Sequence, residues 1–193
     1  MNFRRPVSLG GMSEIHVHQF MTLDGVADAP MWSFEYEFLP EMAATLTKVT
    51  DASEAILLGR HTYEMFEPAW STRTVEDDPG APFFNETKKY VVSGTLTDPT
   101  WNNSEVIGAY DPERIRALKA EGDGHLFVSG STTLVRAMLA DGLVDSLHIF
   151  HYPLTRGEGE RLLDGVPAIA FTCEESQTYS HGMTYLHYRP KAS

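Results

Sequence analysis

Residues 55–66 read Ala-Ile-Leu-Leu-Gly-Arg-His-Thr-Tyr-Glu-Met-Phe, and the rest of the 193-residue chain can be ordered around them. Ala55 to Leu58 form an unbroken apolar run, the mark of a strand buried on both faces. Gly59 permits a sharp turn, and a helix opening at Arg60 or Thr62 would carry Tyr63, Met65 and Phe66 inward. A strand that passes through glycine into a helix N-terminus gathers unpaired N–H groups and the positive end of the helix dipole. Arg60 adds a fixed positive fork and His61 a titratable ring. The corner suits a phosphate, the 2′-phosphate of NADP being one. A helix cap beside an incidental surface arginine accounts for the same residues equally well.

Composition narrows the class. The chain is 42% hydrophobic and 22% charged, as in an ordinary globular domain, and is long enough for one sizeable core. A net charge of −12 argues against a nucleic-acid or anionic-membrane surface, so an anionic ligand would need a local basic pocket. Cys173 is the single cysteine, which excludes an internal disulfide and a multi-cysteine metal site. No apolar run approaches the roughly 20 residues that span a bilayer. Arg4-Arg5 is not followed by an apolar segment, so a twin-arginine signal is not expected and the chain reads as cytoplasmic. Residues 1–13 are expected to be a flexible extension and residues 14–190 a single domain.

Ile15 to Phe20 alternates as a half-buried strand, with His16 and His18 on one face. An H-x-H pair can bind metal, but no carboxylate or third histidine follows at a helpful spacing, so two core or exposed histidines and no metal are expected. Asp24-Gly25 marks a turn, and residues 28–30 extend a loop. Phe34, Phe38, Met42 and Leu46 recur every four residues, predicting one helix over Trp32–Lys48 with Pro40 at a break or in a first turn. Residues 70–83 are rich in Pro, Asp and Gly and predict a long loop. Lys89 to Val92 is a short strand closed by Ser93-Gly94-Thr95; Asp111-Pro112 opens a helix; Leu126 to Val128 is a strand that enters a second helix through Ser129-Gly130-Ser131-Thr132-Thr133. Leu147 to Phe150 is another strand, and Phe171–Thr178 with Met183–Tyr188 predict a terminal hairpin.

Strands alternating with helices predict an α/β fold with a largely parallel sheet and an antiparallel edge. Ligands of such sheets bind beyond the carboxyl ends of the strands. Three candidate corners lie there: Gly59–Thr62, Ser93–Thr95 and Gly130–Thr133. Together they point to a dinucleotide pocket.

The ordered set Met21-Thr22-Leu23-Asp24-Gly25, Leu58-Gly59-Arg60-His61-Thr62-Tyr63-Glu64, Lys89-Tyr90-Val91-Val92-Ser93 and Phe127-Val128-Ser129-Gly130-Ser131 resembles the dihydrofolate reductase superfamily. It is most similar to the stand-alone branch related to the reductase domain of the bifunctional riboflavin-biosynthesis enzyme. The resemblance runs from about Ile15 to Arg189. It implies a dihydrofolate-reductase-like three-layer α/β fold and NADPH as cofactor, with Arg60 and His61 near the 2′-phosphate. It puts Ser93 and Thr95 near the adenine-ribose end and Gly130, Ser131, Thr132 and Thr133 around the pyrophosphate. In dihydrofolate reductases the glycine corner holds a Gly-Gly cis peptide; here the pair is Gly130-Ser131. Residues 21–26 would close over the nicotinamide, and a homodimer is implied by resemblance alone. Glu37, five residues after Trp32, is the nearest match to the carboxylate that anchors the pterin ring, with Asp24 and Glu35 as rivals. Phe20, Trp32 and Phe34 are the candidate substrate contacts. The fused zinc deaminase of the riboflavin enzyme has no counterpart here. The expected activity is hydride transfer from NADPH to a C=N or C=O of a small pterin- or ribosylaminopyrimidine-like substrate. The alternatives are a non-catalytic NADP(H)- or pterin-binding protein and an assembly protein that has kept only the fold.

Overall fold

The computed structural model describes residues 11–28 and 30–191. β1 (Glu14–Thr22) leads through a 3₁₀ turn (Pro30–Glu35) to α1 (Pro40–Asp51), and β2 (Ser53–Gly59) runs directly into α2 (Arg60–Trp70). Then come α3 (Ala81–Glu86), β3 (Lys88–Val92), β4 (Ser104–Val106), α4 (Pro112–Glu121), β5 (His125–Ser129), α5 (Thr132–Ala140), β6 (Ser146–Tyr152), β7 (Phe171–Thr178) and β8 (Thr184–Pro190).

One eight-stranded sheet has the order β4-β3-β2-β5-β1-β6-β8-β7. Every pairing from β4 across to β6 is parallel, whereas β8 pairs antiparallel with both β6 and β7. The α/β class and the antiparallel edge are therefore as expected. β2 lies between β3 and β5, and Ala55 to Leu58 are all buried because helices cover both faces of the sheet. Ile15 and Val17 of β1 join Leu57, Leu126 and Val128 in a core closed by Ile115 and Leu118 of α4 and by Leu134, Val135 and Met138 of α5. On the other face Ile56, Leu58 and Phe127 pack with Val49 of α1, Tyr63 of α2 and Phe84 of α3. A third cluster joins Met42 and Trp32 to Phe150, Tyr152, Tyr179 and Tyr185.

Three expectations need correction. The single helix over Trp32–Lys48 is a 3₁₀ turn followed by α1, because Pro40 fits only a first turn and the helix starts with it. Phe34 and Phe38, predicted on the buried stripe, are exposed as a result. The loop expected over residues 70–83 is shortened at both ends: α2 reaches Trp70 with Pro68 in its last turn, and α3 begins at Ala81 with Pro82 in its first. Six residues are too few to show a helical period, and α3 is held by Phe84 stacking on Trp70 at 4.2 Å. The expected extension over residues 1–13 lies outside the described residues up to residue 10. Ser13 belongs to the domain: it is buried, and its N–H donates to the Lys119 carbonyl at 2.7 Å.

Candidate active site

At the carboxyl edge of the sheet β2 ends in Gly59 and β5 is followed by Gly130, each leads into a helix, and the two corners are tied together. The Gly59 N–H donates to Ser131 Oγ at 3.0 Å, and the Ser131 N–H donates to Thr62 Oγ1 at 2.8 Å. Gln19 of β1 donates through its side-chain amide to the Gly130 carbonyl. Gly130 and Ser131 are consecutive left-handed residues, φ +59° and +53°, and no cis peptide occurs among the described residues. The Gly-Gly cis geometry of dihydrofolate reductases is therefore replaced by a trans, left-handed turn. A non-glycine residue in that region costs about 1–2 kcal/mol, and the two hydrogen bonds on Ser131 hold it there. A Cβ on Gly130 would lie 3.2 Å from Thr62, so a side chain there would be crowded as well as strained at this φ.

This stitching sorts the candidate cofactor residues. Gly59, Thr62 and Ser131 join the corners, and Thr132 is buried behind them. The first turns of α2 and α5 receive no side-chain cap, so two helix N-termini lie side by side with N–H groups to offer. Arg60 is partly exposed and His61 and Thr133 are exposed at the same rim. Arg60 Nη1 meets Glu64 Oε1 at 3.2 Å and Nη2 meets His61 Nε2 at 3.2 Å, an exposed pairing that holds the guanidinium at the corner. At the end of β3, Ser93 Oγ accepts from the N–H groups of Thr95 and Leu96 at 3.1 and 2.9 Å, so Ser93 builds the turn and Thr95 is its exposed member.

The two candidate carboxylates sit in unlike places. Asp24 accepts from Thr22 Oγ1 at 2.6 Å, from the Gly157 N–H at 2.7 Å and from the Arg156 N–H at 3.1 Å. Those donors hold its carboxyl far below the usual carboxylate range. The carboxyl is thus engaged by one hydroxyl and two backbone donors, an arrangement suited to the orienting role expected as one possibility for Asp24. Its evident role is positioning: the 22–28 turn is pinned to residues 156–162 by this carboxylate, by the Leu162 N–H to the Gly25 carbonyl and by the Val26–Arg161 bridge. Glu37 is exposed between the 3₁₀ turn and α1, and Glu35 is exposed at the end of that turn.

Of the candidate substrate contacts, Phe20 is half-buried and packs edge-on against Phe150 and Tyr152. Trp32 is buried with its ring 5.1 Å from Tyr152, and Phe34 is exposed. Trp32 Nε1 has no protein partner among the described residues, and its ring lines a cavity of about 280 Å³ with Asp28, Arg156, Glu158 and Gly159. An arginine and two carboxylates beside the buried Trp32 are a set of donors and acceptors for a polar heterocycle.

The sequence of the chain matches the RibD C-terminal domain over residues 14–185. The chain belongs to that family. No curated protein sequence matches it. Among solved structures it is similar to a protein from Shewanella sp. PV-4 assigned by name to riboflavin biosynthesis, at 18% identity and TM-score 0.77, over 93% of this chain and 99% of that one. It is similar to a pyrimidine reductase-like protein from Corynebacterium diphtheriae, at 16% identity and TM-score 0.62, over 94% and 93% of the two chains. It also resembles dihydrofolate reductase from Enterococcus faecalis in complex with NADP(H), at 13% identity and TM-score 0.62, over 95% and 100%. At these identities the likeness is one of fold, and the fold is dihydrofolate-reductase-like.

Two buried polar residues of β1 lie beside these corners, with neighbours that a local reading does not give. Gln19 is buried on the strand face that carries Ile15 and Val17, and a glutamine where the alternation calls for an apolar residue was the available signal. His18 is buried among Phe20, Phe127 and Phe150, with Nδ1 3.2 Å from Ser129 Oγ next to the glycine corner. Burial pushes its pKa down to about 4, so the ring is neutral. Among the described residues no helix is long and apolar enough to cross a membrane.

Proposed function

We propose that the protein is an NADPH-dependent reductase that sends hydride to a C=N or C=O of a small pterin- or ribosylaminopyrimidine-like substrate. Family membership and the structural relatives support a reductase of the riboflavin or folate type. The observation that carries the finer reading is the pair of stitched corners: two helix N-termini without side-chain caps, joined through Ser131 and Thr62, with Arg60 and His61 at the rim. This arrangement fits a dinucleotide that ends in a 2′-phosphate. The left-handed Gly130 lets backbone approach closely, the helix N-termini favour the pyrophosphate, and Arg60 meets the extra phosphate as a bidentate cation.

When bound, the nicotinamide supplies the hydride. The chain supplies place and charge. Asp24 fixes the 156–157 backbone beside the cavity, Trp32 helps to wall it, and Arg156 and Glu158 supply opposite charges at its rim. Glu37 is the carboxylate near Trp32 that could anchor or protonate the acceptor, which requires the exposed segment before α1 to fold over the cavity. The commitment of Asp24 to backbone amides favours the second reading, a protein that binds NADP(H) or a pterin without turnover. A panel of dihydropterins, ribosylaminopyrimidinones and quinones separates the two. Substrate-dependent loss of the reduced-nicotinamide absorbance, cut at least tenfold in Glu37→Gln with NADPH affinity kept, supports the reductase. NADPH binding with no oxidation across the panel supports the binding protein.

A further inference from the structure

The opposite edge of the sheet gathers histidines that the sequence scatters. Parallel pairing sets Glu14, at the start of β1, beside His125, at the start of β5, and sets His18 of β1 beside His148 of β6. Antiparallel pairing sets His148 beside His187 of β8. His16 stands on the same face of β1 as His18 and two residues from Glu14. Its Nε2 is 3.0 Å from Glu14 Oε2, and its ring centroid is 3.9 Å from that of His125. One donor atom from each of Glu14, His16 and His125 lies within 4.8 Å of the other two. A cavity of about 140 Å³ adjoins them, lined by His16, His125, His148 and His187 and by Lys48 and Glu175. His16 of the H-x-H pair thus finds a carboxylate two residues upstream and a further histidine 109 residues downstream, on the neighbouring strand, while His18 stays outside the cluster.

We propose that Glu14, His16 and His125 form a binding site for a first-row divalent metal ion, with zinc the best fit. Two imidazoles and one carboxylate are the donor set of zinc sites that keep a fourth position for water, and the adjoining cavity has room for that water. Bonds of about 2.0–2.2 Å at tetrahedral angles put donors about 3.3 Å apart. The Glu14–His16 pair comes near this spacing, and the third donor enters when the partly exposed His125 ring turns out of its stack on His16. Magnesium and calcium, which prefer all-oxygen shells, do not suit it.

The surroundings hold the donors as metal ligands are usually held. His16 Nδ1 is 2.9 Å from His148 Nε2, and His148 Nδ1 is 2.7 Å from the Tyr185 hydroxyl. In one direction Tyr185 donates to His148, His148 to His16, and His16 Nε2–H to Glu14. When an ion replaces the proton on His16 Nε2, the chain reverses: His16 Nδ1–H donates to His148 and His148 to the tyrosine oxygen. Both rings are satisfied either way, so the network orients His16 without opposing the ion. Arg189 donates to Glu14 Oε1 at 2.6 Å and to Oε2 at 3.3 Å, fixing the carboxylate. Its charge opposes the ion but is partly exposed and screened by solvent.

The test uses untagged protein stripped with chelator and titrated with zinc and, separately, cobalt. One ion per chain, a visible ligand-field band with cobalt and a raised melting temperature are expected. His16→Gln and His125→Asn should each weaken binding at least about 100-fold, at or beyond the upper range for losing an outer partner. His187→Gln, which changes a cavity wall and not a ligand, should keep affinity within a few-fold. Should the buried His16→Gln variant fail to fold by circular dichroism, His125→Asn at the strand terminus decides alone. Absence of saturable one-to-one binding overturns the proposal. So does unchanged binding in folded His125→Asn, which would assign the ion to surface histidines, or an equal loss in His187→Gln, which would make the ligand set wrong.

Discussion

The two ends of one parallel sheet are built on different logics. At the carboxyl edge each corner is a contiguous phrase, strand then glycine then helix, and its chemistry comes from backbone N–H groups and the residues beside them. At the amino edge the histidine cluster has no phrase at all: Glu14, His16, His125, His148 and His187 come from four strands and meet only through register. Five residue steps, about 16 Å of strand, separate His125 from Gly130. A site made of backbone is therefore legible one element at a time, and a site made of side chains across strands becomes visible only once the pairing is known.

The strongest way to break the contrast is Gly130→Val. If the carboxyl edge is held by backbone geometry, a β-branched side chain at φ +59° with its Cβ 3.2 Å from Thr62 should cost about 2–4 kcal/mol, read by denaturant unfolding. A loss within the noise would mean that the corners are not stitched as described. Next is Arg60→Ala, which removes a charge and leaves the backbone intact. NADPH affinity should fall about 10–100-fold, the loss of a charge-assisted hydrogen bond, with NADH affinity unchanged. Equal losses for both nucleotides would remove the 2′-phosphate role.

Those expectations also mark what could be read in advance. The buried strand Ala55–Leu58, the glycine corners and the terminal hairpin followed from local pattern, because each is contiguous in sequence, and the parallel sheet followed from the alternation of such strands with helices. The helix expected within Trp32–Lys48 was legible from Pro40 onward, where proline takes a first turn as allowed; only the stretch before it, read as part of the same four-residue stripe, is a separate 3₁₀ turn. Asp24 could be seen as a turn residue, but its partners, the Arg156 and Gly157 amides, lie more than 130 residues away. Gln19 and the cross-corner bond from Ser131 to Thr62 depend likewise on neighbours that only the folded sheet supplies.

Asp24→Asn sharpens the contrast from the loop side. Because the folded protein holds this carboxyl below its unfolded value, the ionised group contributes stability above the unfolded pKa, near 3.9, and loses it as pH falls below that. Wild type should be the more stable at neutral pH, with the gap to Asp24→Asn closing progressively below about pH 4 in pH-resolved melts. A pH-independent gap would show that the charge is not what pins the loop. The smallest expected effect couples the two edges: saturating zinc should leave NADPH affinity within about twofold, as for distant sites with no shared partners. A tenfold change would join the edges into one functional unit.

The most direct measurement is titration of the purified protein with NADPH and, separately, NADH, followed by tryptophan and reduced-nicotinamide fluorescence. Saturable binding of NADPH at least tenfold tighter than NADH, with the preference abolished in Arg60→Ala, is the expected result. Binding of neither nucleotide, or of both alike, would contradict the dinucleotide role of the stitched corners and leave a shared fold alone.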